Sequence, residues 1–457
     1  MSRQVQAYLA EIGAISGSGE KDVFYRLVCT LHANGKDIAT YHVNDIELER
    51  NYIEQYADIM SISVAISAGS LQYDVMPYKA SLEATVEYWP MSESQIPKNE
   101  DSLPLSSYRY RAVPYDGRSK TIESGDITTS NQQTMDRTQA PSARFQLLDP
   151  ALETLRMKSV GGPYRKIRGV DLIRYLLTKM SREDGEDVSA RIKGVTVAEG
   201  FNPEVREHIV IPHLTPLIAA PLLINQICGG IYPAGFQFYL QNQFWYLYPP
   251  YNTKGYTAAK RTLTVMKVPK GRFPNPERSY RETPAQLIVL STGETKHNDL
   301  TNEMQLNAGN GIRFMDAARV MDGFIEVDGN KATVKKSGNV TEFIAETQDT
   351  GLNMVVESGS RITANYLTEY TKIAARNGAY IRTIWENSND TLLYPGMPVK
   401  YLYVENDAVQ ELYGTLVGSH TVTQPTNTNP KVRRFAAQTA LTLFVEKKPK
   451  TRKGDET

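Results

Sequence analysis

The most restrictive feature of this sequence is period-two alternation in short segments closed off by turn residues. In the run Ile59 to Ser67, Ile62, Val64 and Ile66 fall on one side, and Ser61, Ser63, Ala65 and Ser67 on the other. In Ser81 to Trp89, Leu82, Ala84, Val86 and Tyr88 oppose Glu83, Thr85 and Glu87. Successive side chains of a strand point to opposite faces, so these are half-buried strands. Val23 to Leu31, Ile38 to Val43 and Leu71 to Met76 extend the series, with turns at Gly35-Lys36 and Gly69-Ser70. Short strands about ten residues apart specify a small antiparallel barrel or sandwich.

The same pattern returns later. Phe236, Phe238 and Leu240 alternate up to a turn at Gln241-Asn242-Gln243, and Phe244, Tyr246 and Tyr248 alternate away from it. That is a hairpin, stopped by Pro249-Pro250. Further strands are expected at Arg261 to Val268, Gln286 to Ser291, Ala379 to Trp385, within Leu392 to Thr421, and from Ala436 to Glu446. Asp328-Gly329 marks the turn of another hairpin, Ile325 to Val334. Helices are fewer. Val170, Ile173, Leu176, Leu177 and Met180 give Gly169 to Ser181 one apolar stripe. Pro221 to Ile227 has proline at its first turn and Gly229-Gly230 beyond its end. Ile362 to Arg376 carries a stripe of Tyr366, Tyr370, Ile373 and Ala374, with Asn377-Gly378 as its cap.

The fold class expected is therefore mainly β with an α+β insertion. At roughly 150 residues per domain, 457 residues suggest about three domains or one large domain with insertions. The segments are an N-terminal arm (1–19), a first barrel (20–115), a polar linker (116–160), a helix and hairpin insertion (161–260), a second β domain with a helix (261–380), a C-terminal β region (381–446) and a basic tail (447–457). Within Met91 to Gln139 only Tyr108 to Val113 reads as a strand. Ser16 to Glu20 reads as a flexible joint, and the tail, with Lys447, Lys448, Lys450, Arg452 and Lys453, as disordered.

Composition narrows function. Lys+Arg and Asp+Glu both number 51, so no cationic excess marks a dedicated nucleic-acid binder. Cys29 and Cys228 read as two buried thiols rather than a disulfide framework. No run approaches the roughly 18 apolar residues of a membrane span, and Met1 to Gly19 lacks a signal-peptide core, so a soluble protein made in a cytoplasm is expected. The 27 tyrosines, against 12 phenylalanines and 3 tryptophans, fit β structure or extensive subunit contact.

Catalytic patterns are missing. Gly17-Ser18-Gly19-Glu20-Lys21-Asp22 has no hydroxyl after its lysine to hold magnesium. Gly309-Asn310-Gly311 is a fragment of a dinucleotide fingerprint outside any strand-turn-helix. His208 and His213, five residues apart, belong to opposite faces of an extended segment. His32 and His42 can meet across a hairpin, but nothing completes a metal site. Glu183, Asp184, Glu186 and Asp187 sit in a polar turn with no apolar cover to raise a carboxyl pKa. No catalytic, cofactor-binding or metal-ligating residue and no cofactor is assigned.

Two stretches carry a resemblance. Glu204 to Leu217, with Gly229-Gly230-Ile231-Tyr232 and Gln243 to Tyr251, and Leu393-Tyr394-Pro395-Gly396-Met397-Pro398-Val399-Lys400-Tyr401 resemble the baseplate hub proteins of contractile-tailed bacteriophages. Asn51-Tyr52, Ser61 to Ile66 and Tyr78 to Glu87 are similar to that family's first tail-tube-like domain. The resemblance implies a homotrimer with two tube-like barrels per chain, hence a pseudo-sixfold ring. Such a ring joins the sixfold tail tube to a threefold central spike and lets DNA pass. The implied partners are its own copies, the spike, the tube or its initiator, and surrounding wedge proteins, with no membrane; the implied location is the virion. The family lends no catalytic residues. Other tail roles (tube initiation or completion) share this evidence, and a tail-associated cell-wall hydrolase is the enzymatic alternative.

Overall fold

The computed structural model describes residues 2–17, 24–91, 104, 106–115, 142–179, 192–269, 279–298, 312–315, 332–337, 340–345, 371, 374–375, 378–426 and 433–446. It is mostly β. After helix α1 (Arg3–Ser16) come β1 (Phe24–Ala33), β2 (Lys36–Ala39), β3 (His42–Asn51), β4 (Ile59–Ala65), β5 (Glu83–Met91), β6 (Ser106–Pro114) and β7 (Ser142–Leu148). A mixed segment follows: α2 (Pro150–Met157), β8 (Ser159–Arg168), α3 (Gly169–Lys179), β9 (Gly194–Val197), β10 (Val205–Pro216), α4 (Ala220–Ile227), β11 (Gln237–Gln241) and β12 (Phe244–Tyr248). The remainder is β13 (Thr262–Lys267), β14 (Tyr280–Glu282), β15 (Gln286–Asn298), β16 (Ile312–Met315), β17 (Ala332–Ser337), β18 (Val340–Ala345), β19 (Gly378–Trp385), β20 (Pro398–Glu405), β21 (Ala408–Pro425) and β22 (Phe435–Glu446).

The pairings close on themselves twice. One circuit runs β21-β3-β4-β7-β6-β5-β1-β22 and returns to β21. The other runs β13-β20-β21-β22-β19-β15 and returns to β13. Both use the β21–β22 hairpin. The first part of β21 pairs with β20, and from Gly418 onward β21 pairs with β3. The register shifts between Leu416 and Gly418, where the strand crosses from one circuit to the other. Glycine is needed there, because a Cβ on Gly418 would lie 2.9 Å from the Arg50 carbonyl.

Each circuit is filled by its own inward-facing side chains. Leu27, Leu31, Ile62, Val64, Val86 and Phe145 are buried in the first. Val265, Val289, Trp385, Tyr401, Leu441 and Leu443 are buried in the second. A third core lies in the α2–β12 segment, around Leu172, Ile173, Ile209 and Trp245. Helix α1 covers the outer face of the second circuit: Tyr8, Ile12 and Ile15 pack on Met266, Ile288 and Leu290. The Tyr8 hydroxyl donates to the carbonyls of Lys267 (2.7 Å) and Leu402 (3.1 Å).

Several expectations change. Leu71 to Met76 is not a strand: a π-helical turn (Ser70–Val75) leads into a 3₁₀ turn (Met76–Ser81). This segment must join the neighbouring ends of β4 and β5. A helical turn does so compactly while driving Val75 into the first core. The polar linker holds the strand β7, whose Phe145 and Leu147 face that core, followed by α2. The expected boundary at 380/381 falls inside one circuit, because β15 pairs with β19 and β13 with β20. The N-terminal arm is the helix α1, capped by Ser2. Gly378 opens β19 rather than capping a helix, and a Cβ there would collide with the Phe444 ring. The hairpin turn of β11–β12 narrows to Asn242 and Gln243, both with positive φ, as a twist-matched two-residue turn demands. The Asp328-Gly329 turn, the four carboxylates from Glu183 to Asp187, Gly309-Asn310-Gly311, Ser18 to Glu20 and the basic tail lie outside the described residues. So does most of Ile362 to Arg376, within which Thr371, Ala374 and Ala375 are helical.

Candidate functional site

The first circuit has two ends, and the second circuit and the α2–β12 segment both meet it at one of them. There β3 ends, β4 begins and β7 passes into α2. Arg50 and Asn51 close β3, Asp58 precedes β4, and Asp149 precedes α2. The sequence thus places one cation and two carboxylates where three units converge. Asp390, from the turn after β19, supplies a third carboxylate.

Arg50 is buried at this junction. Its Nε and Nη2 donate to Asp58 Oδ2, both at 3.1 Å. Its Nη1 donates to Asp390 Oδ2 and to the Asp390 carbonyl, both at 3.0 Å. Burial works against the charged guanidinium, but the two carboxylates outweigh it and hold its pKa well above the ordinary value. Burial in turn pushes the Asp390 carboxyl up, against the pull of Arg50. The Tyr239 hydroxyl, from β11, donates to Asp58 Oδ1 at 3.0 Å. Tyr52 donates to Gln241 Oε1 at 3.3 Å, and Gln241 Nε2 donates to the Leu393 carbonyl at 2.8 Å. One hydrogen-bonded network therefore ties the first circuit, the hairpin β11–β12 and the second circuit together. That hairpin is buried on both faces: Phe238, Leu240 and Trp245 in the third core, Tyr239 and Tyr248 in the second.

Asp149 caps α2, accepting from the Ala151 amide at 2.8 Å. Burial pushes its carboxyl up to about 6, offset in part by the Ala151 amide, with Asp58 pushing it further. Beside the junction lies an open cleft of about 690 Å³, lined by Glu49, Glu54, Tyr251, Tyr380, Arg382 and His420 among others. Its lining mixes both signs of charge. The arrangement is a clamp: Arg50 holds Asp58 and Asp390 together, and Tyr239 binds the second oxygen of Asp58, which fixes the geometry of the junction.

The residues weighed in the sequence do not converge. His208 and His213 are both exposed on β10. His32 contacts Asp37 and Thr85, each at 2.7 Å, without His42. Cys29 and Cys228 are buried, free and in separate cores. Among the described residues no group of three or more His, Cys, Asp or Glu side chains is placed to hold a metal. Nor is any described helix long and apolar enough to cross a membrane. Sequence reading missed Arg50, Asp58 and Asp390. The available signal was an arginine in an alternating strand at a position that must face inward. Asp390 lies 340 residues away and gave none.

No protein-family model matches the chain, and no curated protein matches it. Among solved structures it is similar to a tail protein from Neisseria meningitidis MC58, with 11% identity and a TM-score of 0.47 over 92% of this chain and 96% of that one. It is similar to the 43 kDa tail protein of prophage MuSo2 from Shewanella oneidensis, with 11% identity and a TM-score of 0.45 over 91% and 98%. An Escherichia coli component of the type VI secretion system follows, with 9% identity and a TM-score of 0.39 over 92% and 77%.

Proposed function

We propose that this chain is a structural component of a contractile bacteriophage tail, a baseplate hub that works through shape and symmetry rather than through a catalytic group. The observation that supports this reading is the strand pairing that closes twice around one shared hairpin. Two barrel-like units in a chain become six in a trimer, which is the geometry a connector between a sixfold tube and a threefold spike requires. The Arg50 clamp suits that role, because it fixes one unit against the other. Both circuits are filled with side chains, so a conduit for DNA would lie between copies, not inside one. Equal numbers of acidic and basic residues suit a passage that must not retain phosphate.

The test is the mass and symmetry of the purified chain, by light scattering and electron-microscope class averages, alone and with a candidate spike protein. A threefold ring with a central hole and a sixfold outline is expected. A monomer without a hole under both conditions removes the hub reading, and a true sixfold ring moves the protein to tube initiation.

A further inference from the structure

The other end of the first circuit, away from the second, has a different surface. The strand registers define it. Ala65 at the end of β4 lies opposite Ser142 at the start of β7, and Tyr115 donates its amide to Arg144. Leu82, just before β5, accepts from the Ala112 amide, and Tyr41 donates its amide to Ala65. The helical turns Ser70–Val75 and Met76–Ser81 span the space between Ala65 and Leu82, so they cap this end. Tyr41, Tyr73, Met76, Tyr78, Val113 and Tyr115 all belong to this rim, and each is between 37% and 66% exposed. Within the cap only Val75 is fully buried, with Leu71 packed beside it against the first core, while Tyr73, Met76 and Tyr78 are turned outward.

We propose that this rim is a docking surface for a second copy of the same chain. Four tyrosines of roughly 200 Å² each, scaled by their exposure and added to Met76 and Val113, together expose roughly 500 Å² at this end. Two such rims, fully covered face to face, bury roughly 1,000 Å², the lower limit for a biological interface. The chemistry is self-complementary. A tyrosine hydroxyl both donates and accepts, so like can meet like across a two-fold. The cap's own charges, Asp74 and Lys79, are of opposite sign, so two facing caps are not forced into like-charge contact. An exposed apolar surface of this size on a cap with few inward contacts contributes little to holding its own chain together; it gains stability when covered.

The inference does not depend on the ring reading. Sedimentation velocity of the full chain across the micromolar range tests it, comparing the parent, the double variant Tyr41→Glu with Tyr73→Glu, and the control Tyr175→Glu on α3. Circular dichroism and Tm verify the folds, and Tyr41→Ser serves if the double variant fails to fold. Concentration-dependent association of the parent and the control, weakened at least tenfold in the rim variants, is expected. A monomeric parent, or rim variants that associate like the parent, overturns it. So does hydrogen exchange showing residues 70–81 protected in a monomer, since the chain then covers its own rim. A trimer that survives the rim substitutions keeps the ring and removes the rim. Association lost with the rim but of another stoichiometry keeps the rim and removes the ring.

Discussion

The two strand circuits share a hairpin yet are built on different principles. The first takes β1 and β3 to β7 in near-sequential order, all antiparallel, and fills its interior mainly with Ile, Leu and Val. The second gathers strands from residue 262 to residue 446 and places β13 between two parallel neighbours. Its interior is richer in large aromatics, including Tyr52, Tyr239, Tyr248, Tyr401 and Trp385, and their polar atoms must find partners. The Tyr248 hydroxyl donates to the Tyr52 carbonyl at 2.5 Å, and Trp385 Nε1 donates to Ser279 at 2.9 Å. One circuit is thus held mainly by apolar burial and local pairing. The other depends on hydrogen bonds between residues far apart in the chain, and Arg50 stands where the two meet.

That contrast can be broken most severely at the junction. Arg50→Ala leaves Asp58 and Asp390 facing each other without a cation, and a loss of about 3–5 kcal/mol is expected in urea unfolding. In the first circuit, Leu31→Ala removes a fully buried side chain and should cost about 2–5 kcal/mol, read the same way. A pH titration of stability sharpens the view of the junction. Asp149 has its pKa raised above the ordinary 3.8, so the stabilisation from its protonated form is complete below 3.8 and lost as pH rises through about 6. Between about pH 7.5 and pH 5 the parent should gain on Asp149→Asn by roughly 1.4 kcal/mol, measured as the difference in stability from urea unfolding. Tyr248→Phe, in the second circuit, strands the Tyr52 carbonyl and should cost about 1–1.5 kcal/mol. His420→Gln, at the half-exposed contact with Glu47, should change stability by less than about 0.5 kcal/mol.

The contrast also explains what could be read beforehand. Ile62, Val64 and Ile66 alternate because one face of β4 points into the first core, so the strand was legible from the alternation alone. In β13, Thr262 to Met266 are all buried: Leu263 and Val265 face the core, Met266 lies beneath α1, and Thr264 meets Tyr256 and Gln286. The segment was legible as a strand, but its partners were not, since parallel pairing leaves no turn to mark it. The β7 strand was hidden by the polar stretch before it, although Ala143, Phe145 and Leu147 carry the alternation. The tyrosine surplus was read as β structure or subunit contact. Much of it proves to be core, with hydroxyls satisfied by carbonyls. Of the junction, the sequence showed an arginine and scattered aspartates but not their meeting, which depends on pairing across hundreds of residues.

The shared hairpin has a consequence for synthesis. The strands β21 and β22 close both circuits and come last among the described elements. At roughly 5–20 residues per second, the ribosome needs about 20–80 seconds after making β3 before it can supply the strands that seal it. During that interval both sheets present open edges inside the cell, where they can pair with the wrong chain. Truncation anywhere before residue 446 would remove part of the seal shared by both halves, so the nascent protein should be among those most dependent on chaperones until its final strand emerges.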